Sequence, residues 1–244
     1  MALDRLGLTK STLIDYPGEV AATVFTAGCN LACPYCHNPE LVSGRPPADF
    51  LSRQEVLAYL GKRRGVLGGV CITGGEPTLH PDLDELIGGI HALGLKVKLD
   101  TNGTRPDRLE TLAVDYVAMD LKTTPERYDR VAPADAAAGS GAASAPGLAE
   151  RVRRSVAILR ERGRRDGVSY EFRTTVVPGI VSEEDLDGLC ELMRPGERYV
   201  LSPFRPSVTL DPKLGSVTPY PSETLERIAE ACRLRGIAAR VRAL

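Results

Sequence analysis

From Val20 onward, short runs of apolar and β-branched residues alternate with longer stretches whose apolar positions recur at helical spacing. Val20–Phe25, Gly69–Thr73, Lys96–Leu99, Tyr116–Met119, Tyr170–Val177 and Arg198–Leu201 read as strands. The intervening helices are expected at Ser52 to about Arg64, where Ser52 and Glu55 make a capping box, and at Asp82–Leu93, stopped by Gly94. Further helices are expected at Pro106–Ala113, Leu148–Gly163, Glu183–Met193 behind Ser182, and Ser222–Leu234. Strands that alternate with helices pair in parallel through right-handed crossovers, and six such units give a sheet that curls towards a barrel. The expectation is therefore an α/β fold, a partial TIM-like (β/α)6 barrel of parallel strands, with Ile237–Val241 as a closing strand. Residues 1–244 read as a single domain, and no strand is assigned before Val20. Ala132–Gly147 is almost wholly Ala, Gly, Ser, Pro and Asp, with little bulk to bury, and is expected to be a flexible surface loop.

The polar residues fall in a pattern of their own. Cys29, Cys33 and Cys36, then Gly74-Gly75-Glu76, Asp100 with Asn102, Asp120 with Lys122, Arg173, and Arg205 all lie at or near the C-terminal ends of the strands. In a barrel those ends form one mouth, so residues far apart in sequence would meet there.

Three cysteines spaced x3 and x2 can converge on one soft metal centre and leave a coordination position open. The alternative is a closed zinc site with His37 as a fourth ligand. Cys71, Cys190 and Cys232 are isolated in apolar surroundings and read as buried thiols. His80 and His91 read as surface or helix residues rather than ligands. The net charge of −1 argues against a chain built to coat nucleic acid. No apolar run approaches the roughly 18 residues that span a bilayer, and no signal-peptide pattern opens the chain. The reading is a cytoplasmic protein, where cysteines are kept as thiols or metal ligands. The arginines between Arg151 and Arg165 read as a solvated helix face or as a docking patch for an acidic electron donor.

Cys29-x3-Cys33-x2-Cys36, with Tyr35 before the last cysteine and Gly74-Gly75-Glu76-Pro77 after the next strand, resembles the signature of the radical S-adenosylmethionine (SAM) superfamily. The resemblance implies a 4Fe–4S cluster on Cys29, Cys33 and Cys36, with the fourth iron left for the amino and carboxylate groups of SAM. It implies that Gly74 and Gly75 let the backbone approach the SAM amino group and that Glu76 orders it. Within the superfamily, Cys29-Asn-Leu-Ala-Cys-Pro-Tyr-Cys-His-Asn-Pro39 is similar to the activating enzymes of glycyl-radical proteins. Ile14-Asp15-Tyr16-Pro17-Gly18 is most similar to those of anaerobic ribonucleoside-triphosphate reductase. The positions of Asp120, Lys122 and Arg173 would then lie at the SAM site. Tyr35 would contact the adenine or simply pack, Asp100 and Asn102 would order the mouth or form a turn, and His37 and Asn38 match the activase pattern. Arg205 stands where many pyruvate formate-lyase activases carry histidine. The activity implied is one-electron cleavage of SAM to methionine and a 5′-deoxyadenosyl radical, which takes hydrogen from a glycine of a partner glycyl-radical enzyme. A flavodoxin- or ferredoxin-type protein would supply the electron; neither nucleic acid nor membrane is implied. A pyruvate formate-lyase-type activase and a small-molecule enzyme such as 7-carboxy-7-deazaguanine synthase are the alternatives.

Overall fold

The computed structural model describes residues 3–132 and 145–242. Their strands form one sheet in the order β3-β1-β2-β4-β5-β6-β7-β8-β9. From β2 (Ala21–Thr26) the sheet is parallel through β4 (Gly69–Gly74), β5 (Lys96–Thr101), β6 (Tyr116–Asp120), β7 (Ser169–Val176), β8 (Arg198–Pro203) and β9 (Ala238–Val241). β1 (Arg5–Thr12) and the two-residue β3 (Leu51–Ser52) extend it antiparallel beyond β2. β3 and β9 are the two edges, so the barrel is partial.

β1 was not expected. Only Leu6 and Gly7 are fully buried and Leu8 half-buried; the remaining residues are polar and mostly open, so it lacks the long apolar run that marks the others. Gly7 is where Phe50 packs; a methyl group there would sit 2.8 Å from the ring.

The helices cover the outer face. α1 (Pro39–Val42) is a single turn after the cysteine loop, and α2 (Arg53–Arg63) begins at the expected Ser52–Glu55 box. Val56 and Leu60 of α2 are buried, as are Leu86 and Ile90 of α3 (Leu83–Ala92) and Leu109 of α4 (Pro106–Thr111). Val152, Val156 and Leu159 of α5 (Ala145–Arg165), Leu186 and Leu189 of α6 (Glu183–Leu192), and Leu225 and Ile228 of α7 (Ser222–Leu234) join the same core. That core is the space between the sheet's outer face and the helices. The inner face differs. A small separate apolar cluster of Tyr16, Ala21, Tyr116 and Ala118 lies apart from that core, with buried Thr23, Cys71 and Val200 and the charged Lys98 and Glu171 on the same sheet.

Three expectations change. The stretch 133–144 lies outside the described residues, and α5 starts at Ala145 rather than Leu148. Cys190 and Cys232, expected as thiols, form a disulfide that joins α6 to α7. Their helices pack against each other, with Cα atoms 5.8 Å apart, which two isolated positions 42 residues apart in sequence could not reveal. His80 is buried, its Nε2 3.0 Å from the Ala27 carbonyl, rather than on the surface. Among the described residues no helix is long and apolar enough to cross a membrane.

Candidate functional site

At the C-terminal ends of the parallel strands lies a cavity of about 340 Å3. Cys29, Cys33, Tyr35, Cys36, His37 and Asn38 come to it from the loop after β2. Gly74, Gly75 and Glu76 come from the end of β4, Asp100 and Asn102 from β5, Asp120 and Lys122 from β6, and Arg173 from β7. All the expected residues thus line one space except Arg205, which is exposed and outside it.

The cysteine loop is tied down by backbone. Gly28 N–H donates to Leu41 O at 2.6 Å, Cys29 N–H to Val42 O at 3.3 Å, and Cys36 N–H to Cys33 O at 2.9 Å. Leu31 N–H points at Cys29 Sγ (3.5 Å), and Asn102 Nδ2 lies 4.0 Å from the same sulfur. Burial pushes the Cys29 thiol up to about 11 and Cys33 up to about 12, so only a bound Lewis acid would hold them as thiolates near neutral pH. His37 turns away from the sulfurs: its Nε2 is 3.0 Å from the Arg205 carbonyl and its ring stacks on Phe204. That orientation speaks against a zinc site with His37 as fourth ligand. Among the described residues no three cysteine, histidine or acidic groups close around a single ion either. A multi-iron cluster asks for something else, one thiolate per iron corner.

Gly74 and Gly75 are required from an unexpected side. Gly74 has φ +108°, and a methyl group on it would fall 2.6 Å from Thr26 N; one on Gly75 would overlap the Gly28 carbonyl. The Gly75 and Glu76 N–H groups donate to Thr26 O and Gly28 O, both at 2.8 Å. The glycines therefore let two backbones, β4's exit and the approach to Cys29, lie side by side. Glu76 is 1% exposed and accepts from Thr78 N (3.1 Å), Thr78 Oγ1 (2.5 Å), Thr101 Oγ1 (2.8 Å) and Asn102 N (2.6 Å). Burial raises its pKa, and the four donors offset that only in part.

Opposite the cysteines runs a chain of alternating charges. Arg173 Nη1 donates to Asp100 Oδ2 (3.0 Å) and Nε to Asp120 Oδ1 (2.7 Å), while Lys122 Nζ donates to Asp120 Oδ2 (2.9 Å). Burial alone would raise both aspartates; the Arg173 guanidinium, with Lys98 beside Asp100 and Lys122 beside Asp120, holds them below the ordinary carboxylate range. Tyr35 is buried beside the chain, its hydroxyl 3.4 Å from the Lys122 carbonyl, which fits packing as well as a ligand contact. Asn102 bonds Asn30 Oδ1 (3.0 Å) and accepts from Thr104 N–H and Oγ1, so it also shapes the turn after β5.

Sequence reasoning missed Thr175, Ser202 and Arg242 in the lining. Thr175 follows Arg173 by two residues and shares its face, so strand alternation contained the signal. Arg242 carried none: it follows β9 and reaches across the open edge, donating to the Ile14 carbonyl at 3.3 Å.

A protein of Methanocaldococcus jannaschii, provisionally designated a glycyl-radical enzyme activating enzyme, is 29% identical over 226 residues, 89% of this chain and 86% of its own. The 7-carboxy-7-deazaguanine synthase of Hyperthermus butylicus is 38% identical over 119 residues, 46% of this chain and 48% of that protein. Among solved structures, TYW1 with a lysine-pyruvate adduct bound matches with a TM-score of 0.59 at 18% identity, over 88% of this chain and 73% of that one. Streptococcus suis SuiB bound to S-adenosylmethionine matches at 0.60 and 16%, over 89% of this chain and 49% of that one. At such identities these two speak for the fold alone. The radical SAM superfamily pattern runs through residues 23–193, from β2 to the end of α6, and the chain belongs to that superfamily, whose cofactors are a 4Fe–4S cluster and SAM.

Proposed function

We propose that this chain is a glycyl-radical enzyme activase, with anaerobic ribonucleoside-triphosphate reductase as its partner and a flavodoxin- or ferredoxin-type protein as electron donor. The observation that carries this reading is mutual length: the likeness to the Methanocaldococcus jannaschii activase-type protein spans 89% of this chain and 86% of that protein, against 46% and 48% for 7-carboxy-7-deazaguanine synthase and 84% and 59% for a GTP 3',8-cyclase. The Cys36-His37-Asn38-Pro39 tail of the cysteine loop supports it.

The residues fit the cofactors. Three thiols and N–H donors to sulfur on one wall are a soft donor set of the kind that holds iron–sulfur clusters, and Cys29, Cys33 and Cys36 would be its ligands. A reduced cluster held there would supply the one electron needed for reductive cleavage of the S–C5′ bond of SAM. The protein's part is to bind, orient and exclude water. Gly74 and Gly75 carry the backbone of the β4 exit along the cavity, with Glu76 fixing the turn through Thr78 and Asn102. Arg173 and Lys122, each held by a carboxylate, present cations to a ligand carboxylate or ribose without side-chain ordering on binding. No residue of the cavity is needed as a general base, because a hydrogen atom is transferred rather than a proton.

The test is anaerobic reconstitution with iron and sulfide, then incubation with SAM, a reductant and a candidate partner. Formation of 5′-deoxyadenosine together with a glycyl-radical signal on the partner in electron paramagnetic resonance is expected. SAM cleavage that converts a small molecule and never marks a protein glycine would overturn the activase reading in favour of a synthase-type enzyme.

A further inference from the structure

The charge chain at the cavity wall does not end at its lining. Below it, inside the barrel, Lys98 of β5 pairs with Asp100 Oδ1. Its side chain is 2% exposed, against 15% for Asp100, 13% for Arg173, 28% for Asp120 and 19% for Lys122. Lys98 does not line the cavity. Its other neighbours are Cys71 Sγ at 3.6 Å and the face of Tyr116, 6.0 Å from Nζ to the ring centre. An ammonium that deep is strongly disfavoured unless it is paired, so the bond to Asp100 is obligatory for it.

The pairing has a geometric consequence. Lys98 occupies Asp100 Oδ1 and leaves only Oδ2 for Arg173 Nη1, while Arg173 Nε is taken by Asp120. Arg173 Nη2 has no partner among the described residues. Were Oδ1 vacant, the carboxylate would draw both guanidinium nitrogens into a fork and turn Arg173 off Asp120. Three cations and two carboxylates also leave the chain one positive charge in excess.

We propose that Lys98 is a positioning residue for SAM, acting through Asp100 to hold Arg173 at the angle that presents its free edge to the ligand. This rests on the reading of the cavity as the SAM site. Arg173 and Lys122 meet the ligand; Lys98 meets only Asp100 and sets how far Arg173 leans into the space.

The experiment is equilibrium dialysis of SAM against the cluster-loaded protein without reductant, so that binding is read and no turnover occurs. Lys98→Met is expected to weaken SAM about tenfold, the scale on which loss of an outer partner acts. Lys98→Arg, which keeps the charge, is expected to stay within about threefold of the unaltered protein. In an Asp100→Asn background Lys98→Met should change nothing further, because the route through Asp100 is already cut. Should Lys98→Met not fold, Lys98→Gln, whose amide still reaches a carboxylate, takes its place with an intermediate loss expected. Unchanged SAM affinity in Lys98→Met, or an undiminished loss in the Asp100→Asn background, overturns the proposal. Arg173→Gln separates the two readings. If it leaves SAM affinity intact, the cavity assignment itself fails and takes this role with it. If it weakens SAM while Lys98→Met does not, only the role of Lys98 fails.

Discussion

A methyl group on Gly75 would land on the Gly28 carbonyl, and Gly28 is the residue before Cys29. Gly75→Ala therefore pushes on the cysteine loop through backbone, with no flexible side chain to absorb the overlap. The expected result is a loss of about 1–3 kcal/mol in urea unfolding of the cluster-free protein, typical of overpacking. Iron uptake on reconstitution should fall with it; a Gly75→Ala variant that loads iron normally would contradict the contact. Cys33→Ala makes the complementary prediction. The residue is buried at the rim of the main core, so the fold should survive a small truncation, while iron content and 5′-deoxyadenosine formation should both collapse. At this scale the sequence was most informative where chemistry restricts residue type: thiols, the glycine pair, and charges at strand ends. It was least informative where position depends on closure of the sheet. Arg205 and Arg242 are both arginines after a strand, yet only Arg242 lies across the open edge and lines the cavity. Nothing local distinguishes them.

At the level of elements, α6 shows how a cap can serve more than its own helix. Ser182 Oγ accepts from Asp185 N–H at 3.2 Å, and the Asp185 carboxylate takes Ser182 N–H at 2.8 Å. The same carboxylate, 1% exposed, takes Arg127 Nη1 at 2.7 Å and Arg130 Nη1 at 3.1 Å from the 3-10 turn Pro125–Arg130. Ser182→Ala should cost about 1 kcal/mol in denaturant unfolding, the usual value of an N-cap. Asp185→Ala should cost clearly more, because it also removes the carboxylate that Arg127 and Arg130 share, leaving them only Glu184 and the Ile180 carbonyl; equal losses would mean that the arginine contacts contribute nothing. Capping and amphipathic spacing made α2, α6 and α7 legible close to their ends, since both signals are local. β1 escaped because one of its faces is solvated and its partner is the antiparallel β2. The arginines of α5 looked like a free basic face, yet many are engaged within the chain. Arg160 clasps Glu197 (2.7 and 2.9 Å), Arg154 meets Asp107, and Arg162 is buried on the Leu109 carbonyl. Pairing across elements is what single-sequence periodicity cannot show.

Over the whole molecule, two linkages test the fold independently of any cofactor. The first is the α6–α7 disulfide: the unfolded, unreduced chain should titrate as four thiols, rising to six after reduction. Six from the start would restore the all-thiol expectation. The second is pH. Asp100, Asp120, Asp185 and Glu197 all have folded-state values below their ordinary ones; in each, burial opposes the shift and cations or N–H donors outweigh it. A depressed carboxylate contributes stability that is complete above its unfolded value of about 4 and is lost as pH falls through the folded value. Glu76 runs the other way: its raised value means that folding favours the protonated form, a cost at neutral pH that acid relieves. Glu55 and Asp166, on the surface, are lowered as well, so with six against one the cluster-free protein should lose stability from about pH 4 downward. Asp120→Asn isolates one member of the set. At pH 7 it leaves Arg173 with Asp100 alone and Lys122 with no carboxylate, so it should be markedly less stable than the unaltered protein. As pH falls below the unfolded value of about 4 that advantage shrinks, and it is gone only below the strongly depressed folded value, so the gap between the two unfolding curves should stay level from pH 7 to about 5 and narrow below about pH 4. Urea midpoints at about pH 7, 4 and 2.5 measure the gap. A gap that stays constant would mean that the charge of Asp120 is not what holds this wall of the cavity.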